Sequence, residues 1–345
     1  MTGRPLRALV SDASLSGHHG SALVTSQACR LAADAGIDAT SGWTGDALWD
    51  AVESGRVDFD LVIVNGEGSL HSNSRAAERT ATIAADLAQQ SLPAYLINAT
   101  VEGNRLQLDK ALGLFRLRFV RDSRSQAQLE RAHVEAEVVH DLTLTAAHLP
   151  KAEGRGPLLI TDASDQAKTR RLLALAARWP DAEAITLRTR PPWPRRGAVS
   201  RRVSFEVKRQ LARLLPLSPW SLRYGRAVAF VQLVDRLAHH ARGIVCGRYH
   251  AVCLALRMGL PFVAIEGNTS KTGALLADIG LVDRCVPLAE LEASDSAFPI
   301  APFTEVERQR IEAFLTATER AAAAMFRRIA EDARRRHGVT GHPAA

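Results

Sequence analysis

Short apolar runs recur along the chain, each followed by glycine and polar residues and then by alanine and leucine at helical spacing. The runs 7–10, 61–64, 93–98, 115–120 and 134–139 read as strands. Between them, 22–35 (closed by Gly36), 75–90 and a stretch from about Gln126 read as helices. Strands alternating with helices predict a parallel, doubly wound sheet, and this one closes near Pro150. A polar, glycine-bearing linker follows at 151–156, and then the pattern restarts. Strands are expected at 158–160, 184–187, 243–246 and 262–265, and helices at 166–179, 205–215 and 233–241. A further helix carries Ala251, Leu254, Ala255 and Met258 on one face, and Gly259 and Pro261 stop it. Another ends at Gly280, and 305–336 is a long amphipathic helix able to cross back onto the first domain. The expected fold is therefore α/β, with two Rossmann-like, doubly wound domains facing a cleft. Their expected bounds are 1–150 and 151–303, with a C-terminal helix and tail at 304–345.

Composition changes this picture little, and charge changes it locally. A length of 345 residues suits two domains, and 46% hydrophobic with 23% charged residues suits a soluble globular protein. No basic segment followed by a sustained apolar stretch opens the chain, and no apolar run approaches the roughly 20 residues of a membrane span. A cytoplasmic protein is expected, without a signal peptide. Cys29, Cys246, Cys253 and Cys285 are scattered without metal-ligand spacing and read as free thiols. The net charge of +7 conceals an asymmetry: between Arg188 and Arg226, ten arginines and one lysine face one acid, Glu206. That segment carries +10, which leaves the rest of the chain at −3. A basic run of this kind first points to nucleic acid. Its interleaving with Trp193, Trp220, Pro191, Pro192, Leu214 and Leu215 points instead to a peripheral element at the inner face of the membrane, or to an acceptor-binding flap. A solvated insertion is the plain alternative. No nucleic-acid partner is expected.

Four segments at strand ends carry the candidate chemistry, since α/β sheets bind ligands at the carboxyl ends of their strands. In the first, Gly17-His18-His19-Gly20, backbone amides can hold a phosphate or a sugar hydroxyl, and the histidines can bind an acceptor. A surface loop fits those residues equally well. The second, Asn65-Gly66-Glu67-Gly68, sets a carboxylate between two glycines that allow close backbone approach, with Ser69 and His71 converging nearby. In the third, Arg121-Asp122-Ser123, a ligand-binding arginine and a structural ion pair with a helix cap are equally good readings. His140-Asp141 closes the next strand in a similar, weaker way. The fourth puts Arg248 and His250 two residues apart where a strand hands over to a helix, with Asn268, Thr269 and Lys271 on the next loop. Such a site suits an anion.

Gly247-Arg248-Tyr249-His250-Ala251, with its helix and the Gly259-Leu260-Pro261 exit, resembles the arginine–apolar–histidine–alanine motif of the polysaccharide pyruvyl transferase family. Asn65-Gly66-Glu67-Gly68 is similar to that family's glycine-rich turn and Arg121-Asp122-Ser123 to its arginine–acid–serine motif, so the resemblance spans about 6–281. It implies a GT-B-like fold and transfer of the enolpyruvyl group of phosphoenolpyruvate onto two sugar hydroxyls as a cyclic ketal, in the assembly of cell-envelope polysaccharide. The implied acceptor is a saccharide or lipid-linked saccharide. His250 is then the acid/base, and Glu67 a second acid/base or a sugar ligand. Arg248 and Arg121 grip the phosphate and carboxylate of the donor, helped by Gly66, Gly68, Asn268, Thr269 and Lys271. His18, His19 and His71 face the acceptor. No metal and no cofactor beyond the donor substrate is expected. A GT-B glycosyltransferase using a nucleotide sugar, with Glu67 or His71 as base, is the first alternative. A non-catalytic scaffold of polysaccharide export at the membrane surface is the second.

Overall fold

The computed structural model describes residues 4–12, 17–54, 58–189, 207–208, 210–212, 214–267, 269–294 and 300–339. The chain divides into two compact units. Met1–Leu15, Ser21–Thr145 and Leu315–Ala345 form the first; Ser16–Gly20 and Ala146–Phe314 form the second. The break expected at 150 falls at 145, and the C-terminal segment, bounded from 304 by sequence, is divided at 314, with its later part on the first unit as the expected crossing back requires.

In the first unit the strands are β1 (Leu6–Asp12), β2 (Ile37–Thr44), β3 (Leu61–Asn65), β4 (Leu70–His71), β5 (Ala94–Ala99), β6 (Val101–Glu102), β7 (Arg118–Val120) and β8 (Glu137–Val138). Six of them form one parallel sheet in the order β2-β1-β3-β5-β7-β8, and β4 pairs with β6. The helices are α1 (His19–Asp34), α2 (Gly45–Glu53), α3 (Arg75–Gln89), α4 (Leu106–Leu112) and α5 (Ser123–Glu130). Successive strand residues point to opposite faces. Leu9, Val62, Val64, Leu96 and Val120 therefore pack with α2, α3, α4 and α5. Ala8, Val10, Leu61, Ile63, Tyr95, Ile97 and Phe119 pack on the other face with α1 and the C-terminal helix, Glu305–Val339. Both faces are covered, so the central strands read as unbroken apolar runs. The C-terminal helix contributes Ala322, Met325, Phe326, Ile329, Ala330 and Ala333, a stripe at helical spacing.

Sequence pattern misses β2, α2 and α4. β2 lies at the sheet edge, and among its residues of described burial Ile37 is the one deeply buried large hydrophobic. Phe115, expected in a strand, is core but precedes β7. α5 begins at Ser123, ahead of its expected start, because the Asp122 carboxylate accepts from the Ser125 amide at 2.7 Å.

The second unit has a parallel sheet of β9 (Leu158–Thr161), β10 (Ala182–Ile185), β11 (Gly243–Cys246) and β12 (Phe262–Ala264), in the order β10-β9-β11-β12. Its helices include α6 (Gln166–Arg178), α7 (Pro219–Gly225), α8 (Phe230–His239), α9 (Tyr249–Met258), α10 (Lys271–Ile279) and α11 (Leu288–Ala293). α8 takes in Phe230 and Val231, ahead of the expected start at 233. Leu158, Ile160, Val245 and Val263 pack against Leu172, Leu173, Leu175, Ala176 and Trp179. α9 is a core helix that ends where Gly259 takes a left-handed φ of 70°.

Arg284 ties this unit's C-terminal segment to β12. Its guanidinium is nearly buried and donates to the carbonyls of Phe262, Ala301 and Pro302 and to both carboxylate oxygens of Glu307. Those charged hydrogen bonds pull the Glu307 carboxyl down to about 2, against the opposing effect of burial. A depressed carboxylate stabilises the fold above its ordinary pKa, and that contribution disappears as pH falls through the folded value. We expect Arg284→Met to cost about 3 kcal/mol in urea unfolding at neutral pH. We also expect the variant to lose the acid-dependent stability change that the wild type shows between pH 4.5 and about 2.

Candidate functional site

In the second unit, the carboxyl ends of all four strands bring charged or polar groups to one edge. Asp162 follows the inner strand β9, Arg188 follows β10, Arg248 follows β11 and Thr269 follows β12. The β11–α9 turn is fixed by packing. Gly247 donates its amide to Thr161 Oγ1 at 2.7 Å, and a Cβ there would stand 2.7 Å from the Asp162 carbonyl oxygen. The turn therefore needs glycine, and it delivers Arg248 to the N-cap of α9 and His250 to its first turn.

Asp162 is almost fully buried. Its Oδ1 accepts from Thr186 Oγ1 at 3.1 Å, and its Oδ2 takes Arg248 Nη2 at 2.5 Å and Arg188 Nε at 3.6 Å. Arg248 Nη2 also donates to the Ala163 carbonyl at 3.0 Å. Its Nε is buried without a hydrogen-bond partner among the described residues, as is Thr269 Oγ1. Buried polar groups are usually satisfied, so these two donors mark where a ligand can accept.

The loop after β1 belongs to this unit. Gly17 has a φ of 70°, and His18 forms an antiparallel bridge with Arg188, flanked by His19 N–H to Leu187 carbonyl and Thr189 N–H to Gly17 carbonyl, each at 2.8 Å. His18 Nδ1 accepts from the Gly20 amide at 3.1 Å, so the neutral ring carries its proton on Nε2. Its ring centroid lies 5.3 Å from that of His250. Burial, then the charges of His250, Arg248, His19 and Arg188, hold the His18 pKa well below its ordinary value. Burial and the neighbouring Arg248 likewise lower that of Arg188. The edge is thus electropositive, with one carboxylate among several cationic and imidazole groups.

His19 does not join it. Its ring is buried, bonded through Nε2 to the Val228 carbonyl at 3.0 Å, so the expected acceptor role gives way to a structural one. Lys271 places its Nζ 5.9 Å from the Tyr249 ring centroid, beside the site. Asn268 lies outside the described residues.

The other expected residues belong to the first unit. A Cβ on Gly66 would stand 2.7 Å from that of Ala99, so the turn after β3 runs hard against β5. Glu67 takes a φ of 40°, a strained conformation for a residue with a side chain. Its carboxylate is buried and accepts from Ser21 Oγ at 3.0 Å, while Asn98 Nδ2 donates to Asn65 Oδ1 at 3.2 Å. Gly68 and His71 are partly exposed on and after this turn. Arg121 takes the structural of its two expected readings, with Asp141 rather than Asp122 as partner: it is 1% exposed, donating to Thr100 Oγ1 at 2.6 Å and to Asp141 Oδ2 at 3.0 Å.

Sequence reading missed Asp162 and Arg188. Their signal was position: each directly follows or closely follows a buried strand, as Arg248 does.

The sequence signature of polysaccharide pyruvyl transferases matches residues 18–269. The chain belongs to the polysaccharide pyruvyl transferase family. No curated protein matches it. Among solved structures, a functionally uncharacterized protein from Klebsiella pneumoniae is similar, at 10% identity and a TM-score of 0.42, over 79% of this chain and 88% of that one. An α-glucosyltransferase in complex with UDP and a 13-mer DNA is similar at 8% identity and a TM-score of 0.45, over 95% of each chain.

Two expectations follow for this pyruvyl transferase family member. Arg121→Ala leaves the Asp141 carboxylate buried and uncompensated, and should cost about 3–5 kcal/mol in denaturant unfolding, with ligand affinity per folded molecule unchanged. Gly20→Ala brings a Cβ to within 2.2 Å of His250 Cγ, the root of the ring rather than its flexible tip. It should shift the His250 imidazole resonances and lower turnover by on the order of a hundredfold.

Proposed function

We propose that this protein transfers the enolpyruvyl group of phosphoenolpyruvate to a saccharide hydroxyl pair, forming a cyclic ketal and releasing phosphate. The observation that carries this reading is the pair Arg248 and Arg188 converging on Asp162 beside His250 and His18, in a member of this family. Phosphoenolpyruvate bears a phosphate and a carboxylate, and guanidinium groups bind both with good geometry. The unsatisfied Arg248 Nε and Thr269 Oγ1 supply further donors.

In the step we envisage, an imidazolium at His250 delivers a proton to the methylene carbon of the donor. The adjacent carbon takes on positive character and is attacked by the first sugar hydroxyl oxygen, whose proton passes to the His250 imidazole that has just given one up. The C–O bond to phosphate then breaks, the second hydroxyl oxygen closes the ketal, and its proton leaves on the released phosphate. His18, held neutral by its surroundings, serves as an Nε2–H donor beside the bound anion. Imidazole suits the proton transfers because it gains and loses protons near neutral pH.

Calorimetric titration with phosphoenolpyruvate against a panel of nucleotide sugars tests the donor. Saturable binding of phosphoenolpyruvate alone is expected. Binding of a nucleotide sugar in its place would replace this reading with a glycosyltransferase. His250→Gln should keep donor affinity within a few-fold while lowering turnover by roughly 10²–10⁴-fold.

A further inference from the structure

Ten large hydrophobic side chains stand exposed among the described residues, and six of them fall between 207 and 231. Val207 is 51% exposed, Leu211 51%, Leu214 84%, Leu215 52%, Trp220 37% and Val231 72%. Residues 207–208, 210–212 and 214 are helical. Positions 207, 211 and 214 are spaced i, i+4 and i+7, which is one face of a helix, and Leu215 continues the apolar run in the bend that follows. Soluble helices turn such a stripe inward. Among the described residues of this segment Ala212 is the buried one, and the backbone at 212 lies so close to Gly225 that a Cβ there would meet it at 3.2 Å. The small residue makes the contact, and the leucines face out.

We propose that this stripe and its cations form a docking surface for an anionic lipid membrane. The charge is complementary: leaving out Arg188, which turns to Asp162, residues 189–226 carry nine arginines and one lysine against one acid, an excess of +9, and Lys208, Arg209 and Arg213 alternate in sequence with the apolar positions. Apolar residues on one face with arginine and lysine around them is the pattern of a helix lying in the headgroup region. Anionic headgroups attract each basic residue near the surface. The stripe is a surface element only, since no helix among the described residues is long and apolar enough to cross a membrane. A second copy of the chain is a poor occupant, because it would bring the same excess of positive charge to the contact. Nucleic acid would use the arginines and leave the leucines wet.

The test uses the full chain and vesicle sedimentation. Wild type should bind vesicles of phosphatidylglycerol mixed with phosphatidylcholine, and not phosphatidylcholine alone, with affinity falling as salt rises. Leu214→Ser combined with Leu215→Ser should weaken this by roughly tenfold or more, as should Arg209→Gln with Arg213→Gln. Both pairs should keep the thermal midpoint and the affinity for phosphoenolpyruvate. Absence of binding to anionic vesicles overturns the proposal. Binding that the leucine substitutions leave intact, matched by binding to double-stranded DNA, overturns it in favour of plain polyanion attraction. A wild-type dimer that the leucine pair converts to monomer overturns it in favour of self-association.

Discussion

The carboxylate of Asp162 stands between two guanidinium groups, and the sheet order explains why. β9 is flanked by β10 on one side and β11 on the other, so the residue leaving β9 falls between the residues leaving its neighbours. Arg188 and Arg248 would repel each other at that spacing without an anion between them. Asp162 supplies one, and Thr186 and the Gly247 turn hold the surrounding backbone and side chains in place. A single carboxylate cannot neutralise two guanidinium groups. The remaining positive potential is visible in the His18 ring, which burial and its cationic neighbours keep neutral. The protein leaves that charge balance open, and the proposed donor, an anion, would complete it.

The contrast with Arg121 shows that stoichiometry, rather than the presence of an arginine at a strand end, decides the role. Arg121 meets Asp141 in a side-chain pair 1% and 0% exposed, with Thr100 accepting from another of its donors. A pair buried this deeply is costly to break. Arg248 shares its acid with Arg188 and keeps one nitrogen unsatisfied. Both arginines sit in motifs that resemble the family's, yet one locks the β7–β8 edge and the other is built to receive charge.

This is also where sequence reading succeeds and stops. Strands buried on both faces are legible because every residue must be apolar, as in 61–64 and 243–246. The edge strand β2 is not, since its sequence from Asp38 to Gly42 is polar or small. The Arg248–His250 pair is legible from its place between a strand and a helix. Arg121 is not, because its partner Asp141 lies twenty residues on and becomes a neighbour only once β7 and β8 pair. His19 fails for a related reason: the carbonyl of Val228 that claims its ring is more than two hundred residues away. Local chemistry can be read from spacing; a long-range partner cannot.

Arg188 carries the same lesson in the opposite direction. By composition it opens a run of like charges, and a run invites a single explanation. In the fold, its backbone bridges to His18 and its guanidinium turns to Asp162, so it belongs to the strand-end site. Twenty residues later in the sequence, the same run includes leucines that stand exposed. Burial separates the two. An arginine whose charge is drawn into a half-buried, acid-anchored position can discriminate a small anion by geometry. Cations spread among exposed leucines have no such frame and respond to the average charge of a surface. One basic segment thus holds two kinds of electrostatics, and net charge sums across both without distinguishing them.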